Sequence, residues 1–287
     1  MRGERDLILA DSIASLSRRV AQTKYRKISE VLFRYYPAKR GITTIHDFDG
    51  DLSISLDRAS YISSAIYWAG HHSFPLVRFL REFLKPEMTL ADVGANIGEI
   101  TLLAAKRLSS GLVLAFEPMP NVFAQLTRNV ALNKFSSIRL FNLGLYDSNG
   151  SLPLFVKNDH PFGTTNEGVT SLFSTGKDRT ETLVPLRKFD DVAGEASLTR
   201  LDVMKIDVEG AEWMVLRGAE NSIKRFRPVI IAEISAANFQ RAGYAPKDFF
   251  NYLNALDYEV RNLEDGSRNL TSECDALCFP RESKMNG

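Results

Sequence analysis

Three carboxylic acids stand where the sequence predicts that buried strands end. Asp92, Glu117 and Asp207 each close a short, mostly apolar run. The carboxyl ends of parallel strands meet at one edge of an open α/β sheet, and ligands bind beyond that edge. We therefore expect these acids to lie together at a ligand site; the alternative is that they are solvated loop acids.

A glycine-containing turn, Asp92-Val-Gly-Ala-Asn-Ile-Gly98, begins at the first of these acids. The missing Cβ atoms of Gly94 and Gly98 allow positive φ and let a ligand approach the N-terminus of the next helix. The dinucleotide fingerprint G-x-G-x-x-G fits poorly, since Asn96 replaces its second glycine and the third is missing. Asp92 would repel a phosphate but attract an amine or a sulfonium, both of which S-adenosylmethionine (SAM) carries. We predict SAM rather than NAD in this turn.

Glu117 follows Gly98 by 19 positions, at the end of the second predicted strand. A carboxylate there can accept hydrogen bonds from both hydroxyl groups of a ribose. Because NAD and SAM both contain that sugar, Glu117 predicts a nucleoside without deciding which one.

A second group of charged residues, Lys205, Asp207 and Glu209, alternates along the chain. If the strand continues, these three side chains point to one side of it. Asp207 or Glu209 could remove the proton of an acceptor hydroxyl during group transfer, and Glu233, near the end of the next strand, could contribute. Mg²⁺ held by Asp207 and Glu233 is a further hypothesis. We favour a site without metal, since Lys205 could compensate the acids.

Strands and helices must alternate to position these groups. The predicted strands are 89–93, 112–117, 137–143, 203–207, 229–234, 258–262 and 276–279, and the predicted helices are 100–108, 121–132, 212–217 and 247–256. This alternation predicts an α/β fold, a doubly wound and mainly parallel seven-stranded sheet. We assign residues 73–287 to this domain, with a β-rich insertion around residues 150–187, of which 157–177 form a glycine-containing flap for the acceptor.

Residues 1–72 are predicted to form an N-terminal helical and hairpin extension that could act as a lid. Apolar residues recur at helical spacing between Asp6 and Tyr35, and Asp49-Gly50 between two alternating runs indicates a hairpin. Two more helices are predicted at 61–69 and 74–84. His71 and His72 lie between them, as candidate general bases or as ordinary loop residues.

Composition limits the classes of partner. The formal net charge is +1 and 25% of residues are charged, so no global field attracts nucleic acid or an anionic membrane. The apolar run that begins at Leu7 is too short for a signal peptide or a membrane span, and we expect a cytoplasmic protein that could form a homo-oligomer. The two cysteines, Cys274 and Cys278, predict neither a zinc site nor a disulfide scaffold.

Several motifs resemble, in order and spacing, the FkbM family of SAM-dependent methyltransferases. They are Asp92-Val-Gly-Ala-Asn-Ile-Gly98, Ala115-Phe-Glu-Pro118, Asn129-Val-Ala-Leu-Asn133, Asn142-Leu-Gly-Leu-Tyr-Asp147, Thr170-Ser-Leu172, Lys205-Ile-Asp-Val-Glu-Gly-Ala-Glu212, Leu216-Arg-Gly-Ala219 and Ile230-Ile-Ala-Glu-Ile234. The resemblance covers roughly residues 74–279.

The resemblance implies a class I, Rossmann-like methyltransferase fold and a role for individual residues. Asp92, Gly94, Ala95, Asn96 and Gly98 would follow the methionine and ribose, Asp207 would face the same cofactor, and Glu117 would hold the ribose. Pro118 and Met119 would border the adenine, and Asn142 and Leu143 would frame it, although Asn142 could simply cap a strand end. The implied reaction is methyl transfer to a hydroxyl of a small molecule or sugar; alternatives are an N-methyltransferase, a non-catalytic SAM-binding protein and an NAD(P)-dependent oxidoreductase.

Overall fold

The computed structural model describes residues 2–21, 41–156, 170–174 and 179–282. The helices are α1 (Arg2–Ala21), α2 (Tyr61–Ala69), α3 (Phe74–Phe83), α4 (Glu99–Arg107), α5 (Pro120–Ala131), α6 (Phe189–Glu195), α7 (Glu212–Gly218), α8 (Glu220–Phe226), α9 (Ala236–Arg241) and α10 (Pro246–Ala255). The strands are β1 (Ile42–Phe48), β2 (Leu52–Asp57), β3 (Thr89–Val93), β4 (Leu112–Phe116), β5 (Ile138–Phe141), β6 (Gly144–Leu145), β7 (Gly150–Val156), β8 (Thr170–Ser171), β9 (Arg179–Arg187), β10 (Val203–Ile206), β11 (Val229–Ser235), β12 (Tyr258–Asn262) and β13 (Glu273–Pro280). The helix predicted beyond Ala21 and most of the predicted flap lie outside the described residues.

A seven-stranded sheet with the order β12-β13-β11-β10-β3-β4-β5 carries the fold. The pairs from β11 to β5 are parallel, whereas β13 runs antiparallel between β11 and β12. The chain winds outward from β3 in one direction and from β10 in the other, so strand order reverses between these two strands. In such sheets the ligand crevice opens beyond the carboxyl ends at this reversal.

Helices cover both faces of the sheet because the strand residues alternate between two apolar layers. Ala91, Leu114 and Met204 pack into one layer, which also contains Phe189 of α6, Val215 of α7, Phe239 of α9 and Phe249 of α10. Their chain neighbours Leu90, Val113 and Val203 pack into the other layer, with α3 and α4. The predicted α/β, doubly wound and mainly parallel fold is confirmed.

Local pattern predicted the strands of the main sheet but missed three short helices. The strand 89–93 has the predicted bounds, but α6, α8 and α9 were not predicted. These helices have six or seven residues each. Helices of this length depend on tertiary packing for their stability, so their sequences carry little periodic signal. Among the described residues, no helix is long and apolar enough to cross a membrane.

Two smaller sheets flank the main one. A four-stranded sheet with the order β6-β9-β7-β8 occupies the region of the predicted insertion. The predicted N-terminal hairpin is also present, with β1 antiparallel to β2. Asp49 and Gly50, between these strands, have φ angles of +46° and +97°. Positive φ at two successive turn residues suits the right-handed twist of the strands, which explains the Asp-Gly pair.

Two asparagines, Asn129 of α5 and Asn133 just after this helix, cover the outer edge of β2. Asn129 and Asn133 each accept a hydrogen bond from, and donate one to, the backbone of a β2 residue: Asn129 pairs with Ser55 and Asn133 with Ser53. The Nδ2 group of Asn129 also donates to the carbonyl oxygen of Ile97. These amides replace a neighbouring strand and tie the hairpin to the glycine turn.

The tip of the hairpin is anchored through the carboxylate of Asp49, whose side chain is only 3% exposed. It accepts hydrogen bonds from the guanidinium groups of Arg81 in α3 and Arg107 in α4. Burial acts to raise the pKa of Asp49, but the hydrogen bonds from Arg107 and Arg81 outweigh it, so the pKa lies below its ordinary value. The folded state therefore favours the ionised carboxylate.

We expect Asp49→Asn to lower the free energy of unfolding by about 2 kcal/mol, because it leaves partly buried guanidinium groups without their counter-charge. The matched control is Asp51→Asn, since Asp51 is 72% exposed and its ion pair is with Lys106; its effect should stay within about 0.5 kcal/mol. Denaturant unfolding at neutral pH measures both values. Because the pKa is depressed, the contribution of Asp49 should be lost as pH falls through the folded pKa. Equal destabilisation by the two variants would contradict this anchor.

Candidate active site

A cavity of about 270 Å³ lies beyond the carboxyl ends of β3, β4, β10 and β11. Its lining includes the predicted site residues Gly94, Ala95, Asn96, Glu117, Pro118, Leu143, Lys205, Asp207, Glu209 and Glu233. The fold thus brings together residues that are up to 139 positions apart, from Gly94 to Glu233. This is the crevice expected at the reversal of strand order.

The glycine turn brings the end of β3 against the end of β10. Gly94 has a φ of +78°, and a Cβ atom there would lie 1.9 Å from the carbonyl oxygen of Asp207. Gly98 has a φ of +97°, and a Cβ atom there would lie 2.7 Å from Cδ1 of Leu126 in α5. Gly98 does not itself line the cavity. Its missing Cβ atom lets α4 start close to α5, and its contact with a ligand stays a prediction.

The carboxylate of Glu117 lies across the cavity from β10 and connects two turns. Its Oε2 atom accepts a hydrogen bond from the backbone N–H of Asn96 at 3.0 Å, and its Oε1 atom accepts one from Met119 at 2.9 Å. Burial raises the pKa of Glu117 to about 7, although these two backbone hydrogen bonds oppose the shift. Each oxygen keeps a further lone pair, so the ionised group can still accept hydrogen bonds from a ligand.

Asp92 lies outside the lining of this cavity, and its contact with a cofactor stays a prediction. It lies within β3, is fully buried, and is paired in register with Lys205 of β10. Its Oδ1 atom is 3.3 Å from Nζ of Lys205, and its Oδ2 atom accepts a hydrogen bond from Thr101 at 2.6 Å. The ammonium group of Lys205 therefore supplies a counter-charge to this carboxylate from within the protein.

Two residues predicted to contact the adenine also lie outside the cavity lining. The side chain of Met119 is buried in an apolar cluster, and only its backbone N–H reaches Glu117. The amide of Asn142 donates to the carbonyl oxygens of Glu117 and Pro118. Asn142 therefore caps the end of the neighbouring strand, which is the alternative considered for it. Met119 thus contacts Glu117 through its backbone, and Asn142 contacts the backbone of Glu117 and Pro118 through its side-chain amide.

Lys205, Asp207 and Glu209 all line the cavity, although the strand does not continue as predicted. β10 ends at Ile206, and Glu209 has a φ of +56° in the turn that follows. The Nζ group of Lys205 donates to the carbonyl oxygen of Gly94 at 2.8 Å and lies 3.6 Å from Asp207. Convergence of the three side chains comes from this turn and not from strand alternation.

Asp207, just after β10, and Glu233, in β11, form a pair of acids. The negative charge of Asp207 raises the pKa of Glu233 well above its ordinary value, and burial and the charge of Glu209 add to the effect. The charge repulsion disfavours ionisation of both carboxylates together, and the raised pKa favours the protonated form of Glu233. The pair therefore offers one hydrogen-bond donor and one potential base.

A second cavity of about 430 Å³ adjoins the first. The residues that line both cavities are Tyr61, His72, Ser73, Leu76, Lys205, Asp207 and Glu233. The second cavity is completed by Ala65, Ala69, His71, Phe74, Pro75, Ile206, Ile231, Glu264 and Asp275. Sequence reasoning missed Tyr61, Ser73 and Asp275, because nothing in their local pattern shows that an N-terminal helix and strand β13 line the same cavity.

The two histidines differ in their surroundings. His71 is buried, its Nδ1 atom lies 3.3 Å from the carboxylate of Glu99, and its Nε2 atom lies 3.0 Å from Arg81. His72 is exposed, lines both cavities and meets the ring of Tyr61 edge-on. Its backbone N–H donates to Glu99 at the start of α4. Within the described ranges, no group of three or more His, Cys, Asp or Glu residues is arranged to hold a metal ion.

Three features define a domain of the nucleoside-cofactor-binding class. They are the doubly wound sheet, the glycine turn at the reversal of strand order and the acid after β4. The family model of the methyltransferase FkbM domain matches residues 92–260. The chain belongs to this family, as the motifs predicted.

Three curated relatives illustrate the match. Methyltransferase sdnD of Sordaria araneosa is 33% identical over 155 residues, which cover 46% of this chain and 60% of sdnD. The hexuronic acid methyltransferase AglP of Haloferax volcanii is 29% identical, over 66% of this chain and 71% of AglP. The 31-O-demethyl-FK506 methyltransferase FkbM of Streptomyces tacrolimicus is 28% identical, over 48% of this chain and 62% of that protein. The chain thus spans about 60% of the length of sdnD.

We expect Gly94→Ala to destabilise the fold strongly, since the new methyl group would overlap the carbonyl oxygen of Asp207 at an unfavourable φ. The control is Gly243→Ala, where φ is +87° but nothing lies within 4 Å of the added Cβ atom. The control should cost about 1 to 2 kcal/mol, the strain of the left-handed conformation alone. Gly94→Ala should cost at least about 2 kcal/mol more than that. Equal losses in thermal or denaturant unfolding would show that the close approach is unimportant.

Proposed function

We propose that the protein is a SAM-dependent methyltransferase that transfers a methyl group to a hydroxyl oxygen of a small-molecule or carbohydrate acceptor. The observation that supports the proposal is the wall shared by the two cavities, which Asp207 and Glu233 both line. The first cavity would then take the cofactor and the second the acceptor. Membership of the FkbM domain family supports methyl transfer. The relatives AglP and FkbM, which by name act on a hexuronic acid and on a 31-O position, support an oxygen acceptor.

The first cavity suits the cofactor. The backbone of Gly94 to Asn96 would follow its amino-acid part, Glu117 would accept the ribose hydroxyls, and Pro118 and Leu143 would contact the base; all of them line this cavity. When bound, SAM supplies an electrophilic methyl group on a sulfonium. The Gly94 cradle has no room for a Cβ atom, and the free lone pairs of Glu117 face the same space, so the residues present fit this ligand.

We expect the affinity for S-adenosylhomocysteine, the demethylated product, to weaken as pH falls below about 7. Protonation of Glu117, with its pKa raised to about 7, removes the charge that accepts the ribose hydroxyls. Glu117→Gln should bind at least about tenfold more weakly at pH 8, because hydrogen bonds to a charged acceptor contribute about 1.5 to 3 kcal/mol. Its affinity should also lose this pH dependence. Calorimetric titration between pH 6 and 8 tests both points, and an unchanged pH dependence in the variant would exclude Glu117 as the cause.

The acids differ in their access to an acceptor. Asp207 and Glu233 line both cavities, whereas Glu209 lines only the first and accepts a hydrogen bond from Asn238. Because Glu233 holds the proton of the pair, it would donate a hydrogen bond to the acceptor. Asp207 is then the group that can take the proton of the acceptor hydroxyl while the hydroxyl oxygen forms its bond to the methyl carbon. Lys205, fixed by Asp92 and Gly94, keeps Asp207 at the junction.

The test is incubation with methyl-labelled SAM and a panel of hydroxylated acceptors, followed by identification of the methylated atom. We expect Asp207→Asn to lower the rate of transfer by about 10² or more, the usual contribution of a general base, with cofactor affinity changed less than about threefold. Glu209→Gln is the matched control and should retain transfer. Saturable SAM binding without transfer to any acceptor would favour a non-catalytic SAM-binding protein. A labelled amine would favour an N-methyltransferase. Stabilisation of the protein by NADH but not by SAM would favour an oxidoreductase.

We further propose that residues 1–72 act as a lid over the domain of residues 73–287. Tyr61 of α2 lines both cavities, and the adjoining His72 is held at the start of α4 through Glu99. The hairpin is fixed to the glycine turn through Asn129. Movement of this lid would then close the cofactor site and position the acceptor at the same time.

A further inference from the structure

We propose that the second cavity selects an acceptor that carries an ammonium group near the methylated hydroxyl, as an amino sugar does, over neutral and acidic analogues. This inference rests on the proposed function and names the chemical class of its acceptor. The site is the cavity of about 430 Å³ that shares a wall with the cofactor space, so a molecule bound there is adjacent to the transferred methyl group.

The charge of the lining is the first argument. Four acids from different elements face this cavity: Asp207 after β10, Glu233 in β11, Glu264 after β12 and Asp275 in β13. Burial and the charge of Asp207 raise the pKa of Asp275, which shows that these carboxylates sense one another. Even with a proton on Glu233, the lining has an excess of negative charge. A ligand with a cationic group would offset this negative charge.

The available cations do not cancel this charge. Lys205 is the only lysine or arginine among the described residues that line the cavity. Its ammonium group lies between Asp92 and Asp207, at 3.3 Å and 3.6 Å, and donates to the carbonyl oxygen of Gly94. The ring of His71 is held by Glu99 and Arg81, and His72 lies at the junction with the first cavity. An acidic acceptor would therefore meet repulsion without a free counter-ion.

The lining also has an apolar part that comes from the N-terminal helices. It consists of Tyr61, Ala65 and Ala69 of α2 with Phe74, Pro75 and Leu76 of α3. A sugar ring has the matching shape, with C–H groups on its faces and polar groups around its edge. Sites for small ligands commonly combine an apolar lining with a few converging polar groups that fix orientation. The acids would receive the ammonium and hydroxyl groups while the ring packs on the aromatic wall.

The experiment compares three probes with one ring shape: glucosamine below the pKa of its amine, glucose and glucuronic acid. Each is titrated into the protein saturated with S-adenosylhomocysteine, and the dissociation constants are measured by calorimetry or ligand-observed NMR at low salt. We expect glucosamine to bind at least tenfold more tightly than glucuronic acid, with glucose between them. The preference should shrink as salt screens the charges.

Two variants assign the effect to this cavity. Glu264→Gln removes a lining charge and should reduce the glucosamine preference about threefold, whereas Asp265→Asn removes the adjacent charge outside the lining and should leave it unchanged. Glucuronic acid binding as tightly as glucosamine, no saturable binding of any probe, or an equal response of the two variants would overturn the proposal. Binding of S-adenosylhomocysteine itself is measured in every sample. Its absence would contradict the proposed function, whereas its presence with the wrong probe order would contradict the acceptor class alone.

Discussion

The buried pair of Asp92 and Lys205 is the interaction on which the arrangement of the site depends. It joins β3 to β10 at the place where strand order reverses, with a distance of 3.3 Å between Oδ1 and Nζ. Both groups are removed from water, so either one alone would leave an unpaired charge in the interior at a high cost. Burial acts to lower the pKa of Lys205, but the charges of Asp92 and Asp207 outweigh it and keep the ammonium form. That ammonium group can then donate a hydrogen bond to the carbonyl oxygen of Gly94 and lie close to the carboxylate of Asp207.

The ends of β3 and β10 also come into close contact beside this buried pair. Gly94 lies so near the carbonyl oxygen of Asp207 that no side chain fits between them. The turn after β10 therefore cannot move independently of the glycine turn, and the acids that follow Ile206 are placed by the loop that would hold the cofactor. Glu212 supports this turn, since its buried carboxylate accepts hydrogen bonds from the backbone N–H groups of Val208 and Gly210. Preorganisation of this kind suits transfer reactions, in which the reacting groups must be aligned before the reaction begins.

The N-terminal part is fixed by polar contacts rather than by a continuous sheet. Asn129 and Asn133 satisfy the free edge of β2, and Asp49 ties the hairpin tip to two helices. An edge strand with unpaired backbone groups invites association with other chains, and side-chain amides prevent this without adding a strand. As a result, α2 lies over the sheet, where its residues form one wall of the second cavity.

Sequence by itself determined the fold class, the glycine turn, the hairpin and the acid after the second strand. These features depend on local requirements: alternating elements, residues that tolerate positive φ, and a carboxylate at a strand end. Tertiary structure alone decided that Asp92 faces Lys205, that the side-chain amide of Asn142 caps the neighbouring strand, and that the charge of Asp207 raises the pKa of Glu233. The reason is that charge pairing, burial and cavity walls arise between residues more than a hundred positions apart, such as Asp92 and Lys205 or Tyr61 and Glu233, whose relative placement no local pattern encodes.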